Sequence, residues 1–284
     1  MLQRYNSITG AAPVGSVLSR RETAGDPKAM KLVLLSDIHI GSKKAVPGRT
    51  PIDCLHAAVR HVLDKNADAD LCILLGDLTE TGSDAEYADL KAAIAPLPMP
   101  CRMIIGNHDE REAFKRTFPD SPVDAGGFAQ QAFDAGAFRF LLLDTYWPGN
   151  GGGILDGGRL AWLDEQLAAS DKPCLVFLHH PPFDSGVPGF EALRLQDRPA
   201  LRTVIAAHGD KVAALFSGHC HMTVAATVAG RPAFGMRSLF YQIPQDFVNE
   251  KLKGSDTAPP AYGVVLIDGA DLTVHSVDFD LTQN

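Results

Sequence analysis

Five short clusters hold most of the side chains able to do chemistry. They are Ser36-Asp37-Ile38-His39, Gly76-Asp77, Gly106-Asn107-His108-Asp109, His179-His180-Pro181-Pro182 and Ser217-Gly218-His219-Cys220-His221. Carboxylate, amide oxygen and neutral imidazole, without thiolate, suit divalent ions such as Mn, Fe, Co or Zn. The donors outnumber what one tetrahedral ion needs, and two ions sharing a carboxylate account for them economically. Asp37 and His39 lie two apart, so on an extended segment they point to one side, and His219 and His221 repeat that spacing. Gly76, Gly106 and Gly218 allow tight turns and close backbone approach. Each cluster alone has a plain reading: Gly-Asp is usually a turn, and a His pair can be a solvated strand end. Five in this order, each after an apolar run, are poorly explained that way.

The elements that must position them alternate early and change character late. Leu32–Leu35, Leu71–Leu75, Arg102–Ile105, Leu175–Leu178 and Val212–Phe216 read as buried strands, and each runs into one cluster. In open α/β sheets, ligands bind beyond the carboxyl ends of such strands. Ile52, Leu55, Val59, Val62 and Leu63 share a helical face behind Thr50-Pro51, a cap and first-turn proline. Ser83 and Glu86 have capping-box spacing ahead of a helix to about Ile94. Phe128–Phe133 and Phe138–Leu143 read as a hairpin, Leu160, Leu163 and Leu167 as a helix, and Pro199–Ala207 as another. From Thr223 onward the chain is strand-like, with Val224–Val228, Gly263–Ile267 and Leu272–Val277. The expectation is one α/β domain over residues 30–284, a mixed sandwich rather than a uniform parallel sheet. Residues 1–29 read as a flexible extension without a secretory signal, with Met30 a plausible natural start.

Composition narrows the function. Of 284 residues, 26 are Lys or Arg and 34 Asp or Glu, a net charge of −8, which argues against extended nucleic-acid or anionic-membrane binding. A small phosphate-bearing substrate stays open, because a local metal cluster can reverse the field. No apolar run reaches the ~18 residues of a membrane span. The cysteines, Cys54, Cys72, Cys101, Cys174 and Cys220, are odd in number and form no CxxC, so a reducing cytoplasm is expected.

The order DxH, GD, GNHD, HHP, GHxH resembles the calcineurin-like metallophosphoesterases, over Asp37 to His221, about two-thirds of the chain. Gly76-Asp77-Leu78-Thr79-Glu80-Thr81-Gly82, with GNHD and HHPP, is similar to the class III cyclic-nucleotide phosphodiesterases and related glycerophosphodiesterases. The resemblance implies a four-layer αββα sandwich of two mixed β-sheets flanked by helices. It also implies two divalent ions (Mn, Fe, Zn or Co): one on Asp37, His39 and His221, the other on Asn107, His179 and His219, with Asp77 bridging. His108 matches the residue that assists the leaving group, and Asp109 is expected to orient it. Arg237, Phe240 and Tyr241 follow the last cluster, in a region that often borders the pocket in this family, and Arg237 and Tyr241 are candidates for substrate binding. The tail can also carry homodimer contacts.

The implied activity is hydrolysis of small phosphodiesters: 3′,5′- or 2′,3′-cyclic nucleotides or glycerophosphodiesters. The alternatives are a phosphomonoesterase or nuclease of the same superfamily, or a catalytically silent metal-binding module. Protein phosphatases of the superfamily usually carry GDxVDRG and GNHE, where this chain has Leu78-Thr79-Glu80 and Asp109. Cys220, His56, His61, His208 and His275 read as packing or surface residues.

Overall fold

The computed structural model describes residues 29–252 and 258–281. The reading of residues 1–29 as a flexible extension falls, Ala29 apart, outside the described residues. In chain order the elements are β1 (Met30–Leu35), α1 (Pro51–Lys65), β2 (Leu71–Leu75), α2 (Asp84–Ile94), β3 (Cys101–Ile104), α3 (Arg111–Thr117), β4 (Gln131–Ala135) and β5 (Phe138–Leu142). They continue with α4 (Gly157–Ala169), β6 (Cys174–Leu178), a 3₁₀ turn at Pro188–Leu193, α5 (Arg198–Ala207), β7 (Val212–Ser217), β8 (Val224–Val228), β9 (Arg231–Gly235), β10 (Ala261–Asp268) and β11 (Asp271–Asp278). One sheet has the order β11-β10-β1-β2-β3, the other β4-β5-β6-β7-β9-β8. Both are mixed: β1, β2 and β3 run parallel, as do β5, β6, β7 and β9, while β10 pairs antiparallel with β1 and β11, β4 with β5 and β8 with β9.

Alternation along the strands builds the layers. Leu32 and Leu34 point into the core between the sheets, where they meet Ile73, Phe140, Phe177 and Phe216. Val33 and Leu35 point the other way, against Leu55, Val62, Leu90 and Phe114 of α1, α2 and α3. In the second sheet Leu141, Val176 and Leu215 turn outward onto Leu163, Leu167, Leu201 and Ile205 of α4 and α5. Three apolar cores therefore separate four layers, α, β, β and α. On the inner face of the second sheet, Phe133, Phe140, Phe177, Phe216 and Phe234 stack across five neighbouring strands, with ring centroids 5.1, 5.8, 5.1 and 5.5 Å apart. Such contacts add about 0.5–1.5 kcal/mol each beyond burial, and they stiffen the strands that carry the site.

Local chemistry explains most of the helix starts. Thr50 caps α1 by accepting from the Asp53 N–H, with Pro51 in the first turn. Ser83 and Glu86 form the reciprocal capping box expected for α2. Three features depart from the sequence reading. The strand expected from Phe128 starts only at Gln131, because Asp124 ties the Phe128 N–H and Ala129 donates to Asp144. The seven-residue α3, capped by the Glu110 carboxylate on the Ala113 N–H, has too little apolar periodicity to announce itself. Strand β9 contains Pro232, which speaks against a strand. The fold tolerates it because pairing with β7 begins at Ala233.

Candidate metal centre

The clusters after β1, β2, β3, β6 and β7 converge on one edge of the two sheets. Asp37, His39, Asp77 and His221 bring one donor atom each to within 4.8 Å of one another, and all four are buried. His39 Nε2 and His221 Nε2 face each other at 3.2 Å. Asp37 Oδ1 lies 3.3 Å from His221 Nε2, and Asp77 Oδ2 lies 3.7 Å from His39 Nε2. On the other side, His179 Nε2 is 3.3 Å from Asp77 Oδ1 and 3.3 Å from Asn107 Oδ1. His219 packs edge-on to His179, with ring centroids 5.2 Å apart. The two oxygens of Asp77 thus address two separate donor sets.

The outer ring nitrogens set the inner ones. His39 Nδ1 meets Glu80 Oε2 at 2.9 Å, His221 Nδ1 the Tyr241 carbonyl at 2.8 Å, His179 Nδ1 the Leu75 carbonyl at 2.7 Å and His219 Nε2 the Leu193 carbonyl at 2.9 Å. An oxygen acceptor requires N–H at that nitrogen, so in the neutral imidazole the opposite nitrogen presents its lone pair. For His39, His179 and His221 the inner nitrogen is Nε2, 3.3–3.7 Å from Asp37 or Asp77, and the His39 and His221 Nε2 atoms face each other at 3.2 Å. That is the donor pattern of a cation site with oriented imidazoles, so the residues fit the divalent ions the sequence resemblance implies. His180 instead shares a hydrogen bond with the Thr145 hydroxyl through Nδ1, 2.8 Å.

The electrostatics also favour positive charge. Burial opposes ionisation of Asp77, but His179 and His39 outweigh it and hold the carboxyl well below its ordinary range. Burial likewise opposes ionisation of Asp37, and His221 outweighs it. His179 is pulled down by burial but pushed up more by the Asp77 carboxylate, to about 9. His219, buried and facing His179, is driven down to about 3.

The backbone is strained where these residues sit. Among the described residues, six non-glycine residues have positive φ, and five of them are Asp37, His39, Asp77, His219 and His221. The left-handed region costs of order 1–3 kcal/mol per residue of this kind. The two Asp-x-His and His-x-His pairs therefore do not lie on extended segments. Each pair is a tight turn that still turns both side chains inward, while Cys220 packs outward with Val187, Phe190 and Met222. Hydrogen bonds from the Ile38 and His39 N–H groups to the Asp77 carbonyl, both 2.9 Å, lock the first turn onto the second cluster.

Asp109 does something other than orient His108. It is buried, and its oxygens accept from the N–H groups of Leu78, Thr79 and Gly106 and from the hydroxyls of Thr79 and Tyr87, at 2.8–3.1 Å. It staples the loop after β2 to the loop after β3, which a one-residue offset from His108 does not suggest. His108 Nδ1 takes the Glu80 carbonyl instead, at 3.1 Å. Its side chain is 36% exposed, so it faces the open side of the site. Burial lowers its pKa, but Asp77 and Glu80 raise it more, and the net shift is upward.

The candidate substrate residues also move. The Arg237 guanidinium is engaged by Asp278, at 2.5 Å, and by the Pro259 carbonyl, so it clamps the chain end. It still lines a cavity of about 360 Å³ next to His221. Tyr241 is only 9% exposed; its ring lies 4.4 Å from that of His221, its carbonyl meets His221 Nδ1, and its ring face carries the Lys44 ammonium at 3.7 Å. Glu80 and Lys44 were not singled out by the sequence. Glu80 sits in the Gly76–Gly82 segment that carries the resemblance, so a signal existed there; for Lys44 there was none.

Gly106 shows how tightly the site is built. A Cβ there would lie 2.3 Å from Asp77 Oδ1 and 2.7 Å from His179 Nε2. Gly106→Ala is expected to push the shared carboxylate aside and weaken metal binding by about 10–100-fold, as loss of a supporting contact does. A chelator competition would read this, and unchanged affinity would contradict the packing argument.

The fold and donor geometry define a two-sheet metal-site protein, and comparison with known proteins gives its family. The calcineurin-like phosphoesterase model matches residues 30–222, and the chain belongs to that family. It is 35% identical over 257 residues to a probable cyclic nucleotide phosphodiesterase of Rhodopseudomonas palustris, covering 88% of this chain and 93% of that protein. It is 32% identical over 197 residues to a probable glycerophosphodiester phosphodiesterase of Arcobacter nitrofigilis, covering 68% and 72%. Among solved structures, the purple acid phosphatase PPD1 of yellow lupin superposes with a TM-score of 0.64 at 14% identity, over 89% of this chain and 52% of that one. The chain spans about half the length of that phosphatase, and at this identity the likeness is one of fold.

Proposed function

We propose that the protein is a metal-dependent phosphodiesterase acting on small diesters, either cyclic nucleotides or glycerophosphodiesters. Asp37, His39, Asp77 and His221 would hold one divalent ion, and Asp77, Asn107, His179 and His219 the other. Mn, Fe, Zn and Co all suit these donors. When bound, such a pair of ions supplies Lewis acidity at phosphoryl oxygens and activates water at neutral pH. The observation that carries the reading is the set of four imidazoles fixed by outer oxygens, three of which turn Nε2 toward Asp37 or Asp77.

The chain's own residues do the rest. The Glu80 carboxylate and the Tyr241, Leu75 and Leu193 carbonyls hold the ligand rings in register. Asp109 holds the two loops that carry Asp77 and Asn107 at a fixed separation. His108, beside Asn107, keeps Nδ1 on the Glu80 carbonyl and leaves Nε2 without a partner among the described residues, so a proton there can pass to the leaving alkoxide. Five free cysteines favour a reducing compartment such as the cytoplasm. No helix among the described residues is long and apolar enough to cross a membrane.

The relatives' printed activities support cyclic nucleotides and glycerophosphodiesters as the classes to assay first. The test is a panel of 3′,5′-cyclic AMP, 2′,3′-cyclic AMP, glycerophosphocholine and a single-stranded oligonucleotide with metal-loaded protein. Turnover of one of the first three, and little of the oligonucleotide, is expected. Preference for the oligonucleotide would replace this reading with a nuclease.

A further inference from the structure

Most charged side chains around the site are matched, and Lys44 is an exception. It lies in the loop after His39, and its backbone N–H reaches the Ser42 hydroxyl at 3.4 Å. Its ammonium sits 3.7 Å from the centre of the Tyr241 ring. Among the described residues it forms no salt bridge and no side-chain hydrogen bond, although an ammonium is a compact, strongly hydrated charge with three donors. The ring beneath it lies 4.4 Å from His221 and 5.4 Å from His39, centroid to centroid. The cation is therefore parked at the rim of the donor cluster, one aromatic ring away from two of its imidazoles. Glu80, the carboxylate that acts on it, is committed at 2.9 Å to His39.

We propose that Lys44 is a binding residue for the phosphate group of the substrate, its ammonium leaving the Tyr241 face to donate to a non-bridging oxygen of an anion bound at the Asp37, His39, Asp77 and His221 side. The proposal rests on the diesterase reading above and names the residue that gives that site its first hold on the anion. The four-carbon stem lets the ammonium swing across the ring without moving the ligand turn. Charge-assisted hydrogen bonds to phosphate are among the stronger polar contacts, and their Coulomb part is screened by salt.

Lys44→Met keeps the stem and removes the charge, and Lys44→Arg restores the charge. Lys44→Met is expected to raise KM for bis(p-nitrophenyl) phosphate about tenfold, with kcat changed less than twofold. Lys44→Arg is expected to recover most of that loss. Added salt should raise KM for the native protein and much less for Lys44→Met. Calorimetric titration of inorganic phosphate into metal-loaded protein should show a loss of affinity similar to the change in KM. Unchanged KM together with unchanged phosphate affinity would overturn the proposal. So would a fall in bound metal in Lys44→Met, because Lys44 would then act on the ligands and not on the anion. If the native protein cleaves no diester, the functional reading fails, and the phosphate titration still decides the role of Lys44.

Discussion

Asp77→Ala is expected to remove bound metal and activity together. The two oxygens of Asp77 face different donor sets, Oδ1 toward His179 at 3.3 Å and Oδ2 toward His39 at 3.7 Å. Its loss would take a donor from both sets at once. The rate should fall by more than the ~10²–10³-fold that removal of one electrostatic contact costs. The backbone must be controlled separately, because Asp77 has φ +46° and its carbonyl anchors the turn at Ile38 and His39. Asp and Asn tolerate the left-handed region better than Ala. Asp77→Asn therefore keeps the turn while removing the shared negative charge, and it should lose metal with little change in Tm. Metal content by mass spectrometry, read beside Tm, separates the two effects. Two ions and full rate in either variant would contradict the assignment.

His108→Ala should behave in the opposite way, retaining metal and losing rate. His108 hydrogen-bonds the shared carboxylate through its backbone N–H, 2.9 Å from Asp77 Oδ1, and alanine keeps that N–H. What the variant loses is a half-exposed imidazole whose pKa is raised by Asp77 and Glu80 against the pull of burial. General acid catalysis is typically worth about 10²–10⁴-fold. The full loss is expected on alkyl diesters, whose leaving oxygen needs a proton. A much smaller loss is expected on bis(p-nitrophenyl) phosphate, whose leaving group departs as a stable anion. Equal losses on both substrates would remove the acid role from His108, and loss of metal would make it a structural residue.

The convergence of the polar clusters was legible because its chemistry is local: each cluster directly follows an apolar strand, and the strand ends must meet at one sheet edge. The layers were legible for a similar reason, since alternate residues of Leu32–Leu35 serve two different cores. What escaped depends on contacts far apart in the chain. Asp109 stands next to His108 in sequence, yet its carboxylate points back to Leu78, Thr79 and Tyr87, a partnership that only the packing of α2 against the loops creates. Tyr241 carries a useful ring in a promising place, but its carbonyl is what the site uses. The left-handed turns at Asp37, His39, His219 and His221 could not be read from residue type, because histidine and aspartate give much weaker conformational signals than glycine. Lys44 lies in a loop with no pattern at all, and its significance comes only from what stands beneath it.

A metal titration of stripped protein tests the two-ion diesterase most directly. Mn²⁺ is added stepwise while bound metal is counted and hydrolysis of bis(p-nitrophenyl) phosphate and p-nitrophenyl phosphate is followed in parallel. No activity is expected without metal, with saturation at two ions per chain and faster cleavage of the diester than of the monoester. Activity that survives stripping, saturation at a single ion, or a clear monoester preference would contradict it.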